Sequence, residues 1–223
     1  MQAIVDTVTD RAPASSGFAP LVPSSVATAE TYSDHPDVVL FAIEEAAIAR
    51  AVAKRRAEFR AVRHCARQAM AALGHDPAPV VPGDRGAPQW PADLVGAMTH
   101  CPGYRAAAVA LARDVRAIGI DAEPNVPLGP DGLAAMASPD ELASFPDAAR
   151  CWDRVLFSAK EATYKAWFPL TGRRLGYRDA TILFHADGTF TAHLMVAAPP
   201  IATFAGRWSV VADLVRTAVT VPA

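Results

Sequence analysis

Trp152, Val155, Leu156, Ala159, Thr163, Ala166 and Trp167 recur at helical spacing through CWDRVLFSAKEATYKAWF and form a single stripe. The pattern predicts a helix from about Ala148 to Phe168, stopped by Pro169, with the stripe against the core and Glu161 and Lys165 one turn apart on the opposite side. From Glu44 to Leu73 the chain is rich in good helix formers, and Gly74 stands where a C-cap would end them; this is one long helix or two with a break. The proline- and glycine-dense stretch 74–91 must be loop, and loops of that length inside compact domains are often functional. Strand-like runs follow in VGAMTH (95–100), RAAAVALAR (105–113) and RAIGIDAE (116–123). Ser138, Pro139 and Glu141 spell a capping box with proline at the first helical position, so a short helix starts there. The rest, ATILFHADGTFTAHLMV and IATFAGRWSVVADLVRTAVTV, predicts antiparallel strands with a hairpin turn at Asp187-Gly188.

Helix, strands, helices, strands without regular alternation is an α+β order. Proline, alanine and serine dominate residues 11 to 29, which predicts an irregular N-terminal arm, with structure beginning in earnest near Val38. With 223 residues and 52% hydrophobic composition the chain can bury a real core. A net charge of −2 gives no global attraction to nucleic acid or to an anionic membrane, so a polyanion must be met by a local basic cluster. No basic n-region precedes an apolar segment and no run of apolar residues is long enough to span a bilayer, so the expected location is the cytoplasm. Cys65, Cys101 and Cys151 are odd in number and widely spaced, which argues against disulfides and zinc and for reduced core fillers.

The apolar run Ile118-Gly119-Ile120 ends on Asp121 and Glu123, two carboxylates on one side of a strand end. Alone, such a pair is a surface turn, and Glu161 with Lys165 is an ordinary i,i+4 ion pair. If the helix packs over the strand end, however, Glu161 joins Asp121 and Glu123 as hard oxygen ligands of the kind Mg²⁺ prefers. A cation would relieve the repulsion between the paired acids. With Lys160 and Lys165 beside it, the set suits phosphoryl transfer. Arg56, Arg60, Arg63 and Arg67 fall near one helical face that would suit a phosphate, or else form a solvated face balanced by Glu44, Glu45 and Glu58. Arg85 in the Gly-rich loop and Thr99-His100 at a strand end are further candidate donors to a phosphate, although a lone histidine is more often structural than a ligand.

This combination resembles the 4′-phosphopantetheinyl transferases of the Sfp/EntD type. IGIDAE matches their G-[IV]-D-x-E strand, and FSAKEATYKAW their [WF]-[SC]-x-K-E-[AS]-x-x-K helix about forty residues on. Thr99-His100-Cys101, KRRAEFRAVRHCARQAM, GDRGAPQWP and GRWSV look like actinobacterial members, so the resemblance covers nearly everything from about residue 40 onward. It implies two pseudo-twofold-related α+β halves, about 18–115 and about 116–223, with the active site in the cleft between them and an arm over 1–17. It implies transfer of the phosphopantetheine arm of coenzyme A to a serine of an acyl, peptidyl or aryl carrier protein, with release of 3′,5′-ADP. Asp121, Glu123 and Glu161 would bind Mg²⁺ or Mn²⁺, and Glu161, or a water on the metal, would take the serine proton. Asp121, Glu161 and Lys165 would be the catalytic set. Arg56, Arg63, Arg85, Thr99, His100, Lys160 and Lys165 would hold coenzyme A. Arg85 departs from the lysine common in relatives, which keeps the charge and alters contact geometry. A monomer working on carriers of polyketide, nonribosomal-peptide or fatty-acid synthesis is expected, with neither nucleic acid nor membrane as partner. The rivals are another Mg²⁺-dependent phosphoryl-transfer enzyme and a non-catalytic module that binds coenzyme A or a carrier.

Overall fold

The computed structural model describes residues 17–34, 37–146 and 151–223. The first half runs β1 (Val26–Thr31), α1 (Ala42–Ala47), α2 (Ala53–Ala72), β2 (Val81–Pro82), β3 (Pro88–Gln89), β4 (Leu94–Cys101) and β5 (Tyr104–Leu111). The second runs β6 (Val115–Pro124), α3 (Pro130–Met136), α4 (Pro139–Ala143), α5 (Trp152–Thr171), β7 (Ala180–Phe184), β8 (Thr189–Leu194), β9 (Thr203–Val211) and β10 (Leu214–Pro222). Each half lays one 20-residue helix, α2 or α5, on an antiparallel sheet. The first sheet is ordered β1-β5-β4 and the second β6-β10-β9-β8-β7.

Alternate residues explain how the layers stack. On β5, Ala106, Ala108 and Ala110 pack with Ile118, Ile120 and Ala218 of the second sheet. Ala107 and Val109 instead pack with Cys65, Ala66, Ala69 and Met70 of α2. A strand buried on both faces shows no apolar-polar alternation, which is why RAAAVALAR reads as a continuous run. On β6 and β10 the opposite face, with Ala117, Val215 and Val219, meets Val155, Leu156, Ala159 and Ala166 of α5. The order of layers is therefore α2, first sheet, the β6–β10 edge of the second sheet, α5. All seven residues of the predicted α5 stripe are buried.

Gly119 lets α5 approach. A Cβ there would lie 1.8 Å from the Ala162 carbonyl oxygen and 2.8 Å from the Ala166 nitrogen, so only a residue without a side chain fits. Between the halves, the fully buried Arg216 of β10 donates from Nη2 to the Tyr32 hydroxyl (3.0 Å) and from Nε to the Tyr104 hydroxyl (3.3 Å). The Tyr104 hydroxyl in turn donates to Glu30.

Two local expectations are corrected, the reach of the arm and the stop at Pro169. The arm expected through residue 29 contains β1, whose small residues gain their strand geometry from pairing along β5. The arm's residues 1–16 lie outside the described residues. Of the two readings of 44–73, the structure has the second, two helices with a break, α1 and α2, while α3 was not foreseen and carries no strong helix signal beyond Pro130 at its start. Pro169 lies inside the last turn of α5, which ends at the left-handed Gly172 (φ 64°). The missing proline N–H falls near the helix end, where Gly172 N–H bonds the Phe168 carbonyl and Thr171 Oγ1 the Trp167 carbonyl. The expected start at Ala148 lies outside the described residues. The Ser138 box forms as read, Ser138 Oγ accepting from Glu141 N–H and Glu141 from Ser138 N–H.

Candidate active site

β6 and α5 bring the acids together. Asp121 and Glu123 stand on the face of β6 that α5 covers, and Lys165 donates from Nζ to Asp121 Oδ1 (2.7 Å) and to the Ile120 carbonyl (3.0 Å). Thr99 of β4 donates to the same Oδ1 (3.2 Å) and accepts the Ala122 N–H (3.1 Å), which ties the halves at this point. Asp121 Oδ2 is buried and, among the described residues, has no hydrogen-bond partner. An orphaned carboxylate oxygen is costly unless something occupies it. Glu123 is half-buried and receives Arg154 Nη1 at 3.0 Å. Burial first and the Asp121 charge second hold its carboxyl above the ordinary carboxylate range, while Arg154 pulls it back.

Glu161 does not pair with Lys165. Its Oε1 accepts the Tyr177 hydroxyl at 3.0 Å. Burial and then the charges of Glu161, Asp121 and Glu123 push that hydroxyl up to about 12, so it remains a donor, and the same three carboxylates share its surroundings. Among the described residues no three acids or other ligand side chains stand at metal-binding spacing. Glu123 receives Arg154 at Oε2 and Glu161 receives Tyr177 at Oε1, so each carboxylate uses one oxygen and keeps the other. The chemistry of the donor set and the empty Oδ2 nevertheless fit a hard cation next to Asp121.

Two cavities meet at Lys165, Met98, Pro88 and Gly86. One, of about 270 Å³, is bounded by the Arg85–Pro88 turn, Gly96–Met98 and the Glu161, Tyr164 and Phe168 side of α5. Arg85 keeps a left-handed backbone (φ 52°), unusual for a residue with a side chain and of the kind that collects at functional sites. The other, of about 460 Å³, is lined by Arg55, Glu58, Arg63, Thr99, His100 and Asp121 among others. Arg63 lies over the Phe59 ring (3.3 Å to its centroid) and donates from Nε to the Val80 carbonyl. Burial pushes it down to about 10, still charged at neutral pH. His100 Nε2 stands 3.1 Å from Arg55 Nη1 and 3.5 Å from Glu58 Oε2. Burial holds its imidazole below the ordinary value against the opposing pull of Glu58.

Two predicted phosphate ligands lie elsewhere. Lys160 is buried, its ammonium shared by Glu141 Oε1 (2.6 Å) and the carbonyls of Tyr177 (2.6 Å) and Ala180 (2.7 Å). It faces the body of the second half rather than the two cavities that meet at Lys165, since α5 turns successive residues about 100° apart. Arg56 is held by Glu45 (3.3 Å), as is Arg60 (3.0 Å), and Arg67 pairs with the buried Glu44. The cavity wall takes Arg55 instead. Arg154 and Tyr177 were not singled out from the sequence, and Arg55 and Glu58 entered it only as charges of the basic helix, not as site residues. Only the Arg55–Glu58 i,i+3 spacing hinted at a pair there. The buried Cys65 and Cys101 are each pushed up to about 12 by burial, so neither is a thiolate nucleophile.

The chain matches a family model described as the 4′-phosphopantetheinyl transferase N-terminal domain over residues 43–110 and the 4′-phosphopantetheinyl transferase superfamily over residues 117–219. It is 50% identical to the 4′-phosphopantetheinyl transferase PptT of Mycobacterium tuberculosis, with 87% of this chain and 91% of that protein covered. It is 49% identical to the transferase Svp of Streptomyces mobaraensis (92% and 89% covered) and 43% identical to Npt of Nocardia iowensis (89% and 97% covered). With both halves matched and near-full-length relatives at this identity, the chain belongs to the 4′-phosphopantetheinyl transferase superfamily.

Proposed function

We propose that the cleft carries out the family's transfer of 4′-phosphopantetheine from coenzyme A to a carrier-protein serine with Asp121, Glu123 and Glu161 holding Mg²⁺ or Mn²⁺. The observation that carries this assignment is the buried Asp121 Oδ2, without a partner among the described residues, in the wall of the larger cavity beside Lys165, which lines both cavities. The larger cavity, with Arg55, Arg63 and His100, suits the phosphorylated nucleotide. The smaller and more apolar one, with Arg85 at its rim, suits the pantetheine arm. Lys165 at the junction then lies by the pyrophosphate. A bound divalent ion supplies charge neutralisation of that pyrophosphate.

Glu161 accepts the serine proton. The serine oxygen forms a bond to the phosphorus next to pantetheine, the bond from that phosphorus to the bridging oxygen breaks, and 3′,5′-ADP leaves with the electron pair. Lys165 offsets the charge that grows on the leaving oxygen, and Thr99 keeps Asp121 oriented. The proposed carriers are acyl, peptidyl or aryl carrier proteins of polyketide, nonribosomal-peptide or fatty-acid synthesis. The proposed working form is a cytoplasmic monomer of two halves dividing near residue 115, where β6 begins. No described helix is long and apolar enough to cross a membrane.

Intact-mass spectrometry of an apo carrier protein incubated with this chain, coenzyme A and Mg²⁺ is expected to show a gain of one phosphopantetheine that EDTA abolishes. No gain on several unrelated carriers, with coenzyme A still bound, would favour a non-catalytic binding module. The depressed imidazole of His100 gives a second expectation. In the free protein it is neutral near pH 7, and the stability this contributes is full above the ordinary imidazole value and is lost as pH falls through the depressed one. A bound phosphate restores proton affinity. Coenzyme A affinity, measured by calorimetry from pH 8 downward, should therefore rise by up to about tenfold per pH unit. His100→Gln should flatten that slope, and an unchanged slope would remove His100 from the phosphate site.

A further inference from the structure

We propose that Tyr177 is a positioning residue for Glu161. A glutamate on an open helix face has three rotatable bonds, and ordering it without a donor is entropically costly. Here one donor is supplied: the Tyr177 hydroxyl takes Oε1 at 3.0 Å and leaves Oε2 for other use. The tyrosine is itself held at both ends. Its ring packs on Phe157 of α5, with centroids 5.9 Å apart. Its backbone carbonyl accepts the ammonium of Lys160 at 2.6 Å.

That ammonium belongs to a buried hydrogen-bonded frame. Glu141 Oε1 receives Lys160 (2.6 Å) and the Ile182 N–H (2.8 Å), and Oε2 receives the Ser138 N–H (2.7 Å). α4, α5 and β7 are thereby locked to the single turn that carries Tyr177. The two adjacent residues of the Lys160-Glu161 pair act on one tyrosine from opposite sides, Lys160 on its carbonyl and Glu161 on its hydroxyl. Hydrogen bonds to ligating carboxylates fix their orientation, and losing such a partner generally lowers metal affinity or activity by about tenfold or more.

This inference rests on the assignment of Glu161 to the metal and the serine proton, and the test separates the two. Tyr177→Phe keeps the ring and the carbonyl and removes only the hydroxyl. Mn²⁺ binding to the metal-free protein, followed by electron paramagnetic resonance, is expected to weaken about tenfold, with kcat falling in parallel. The dissociation constant for coenzyme A without metal and the melting temperature should stay at wild-type values. In a Glu161→Gln background the same change should add no further loss of Mn²⁺ affinity, because its effect runs through the carboxylate. Wild-type Mn²⁺ affinity and kcat in Tyr177→Phe, while Asp121→Asn and Glu161→Gln bind poorly, would overturn the role of Tyr177 alone. A loss that appears equally in coenzyme A affinity or melting, or that persists undiminished on Glu161→Gln, would make the role structural and overturn it too. Wild-type Mn²⁺ affinity in Asp121→Asn and Glu161→Gln would remove the metal assignment and this inference together.

Discussion

Asp121→Asn is expected to fold, to bind coenzyme A in the absence of metal and to lose turnover by about three orders of magnitude, equivalent to several kcal/mol of lost charge stabilisation. At Oδ1 both Lys165 and Thr99 donate, so that position needs an acceptor, and the amide would have to put its carbonyl oxygen there. The NH₂ group then occupies the place of Oδ2, the carboxylate oxygen left without a partner among the described residues, and aims two partial positive charges at the proposed cation site. Stability changes little. The substitution removes the like charge that raises Glu123, and Lys165, with 28% of its side chain exposed, regains water. Single-turnover carrier modification alongside a thermal melt measures both quantities. Turnover within tenfold of wild type would show that Asp121 does not hold the metal.

Gly119→Ala is expected to be the most damaging conservative change in the chain. The new methyl would stand 1.8 Å from the Ala162 carbonyl oxygen, a backbone atom that can yield only if α5 as a whole moves off β6. Closely packed interiors do not absorb such an overlap, and destabilisation above about 4 kcal/mol belongs to this class of change. For a chain of this size that corresponds to a melting temperature lower by at least about 8 °C. Displacing α5 would also carry Glu161 and Lys165 away from Asp121, so any protein that remains folded should be inactive. A melt within two degrees of wild type would mean that helix and strand are held by something other than their close approach.

The local signals were legible in the sequence, and the long-range captures were not. Seven positions at helical spacing named the buried face of α5, and Ser138 with Glu141 named a helix start, because both depend on neighbours within a few residues. β1 was missed since its small residues have no periodicity of their own and are made a strand by β5. Asp121, Glu161 and Lys165 were marked by their spacing. The turn of Lys160 toward Glu141, on another helix, had no local sign. Arg56 was preferred to Arg55 because its helical angle is closer to that of Arg63. The competing Glu45 sits on α1, across a break whose geometry the sequence does not display. Arg154 and Tyr177 escaped for the same reason, their partners lying 31 and 16 positions away.

The strand that carries Asp121 and Glu123 pairs with β10, and Thr217 stands opposite Asp121. During synthesis β6 therefore leaves the ribosome long before the strand that completes its sheet. The Tyr32–Arg216 contact closes over 184 positions. Until then the β6 edge, with Ile118 and Ile120 on it, is an open template for other chains. Such non-local closure is slow, and an incomplete chain exposes a sticky edge in the meantime. The acidic centre is thus expected among the last parts of the molecule to form, and a chain cut before β10 is expected to leave the β6 edge open to aggregation.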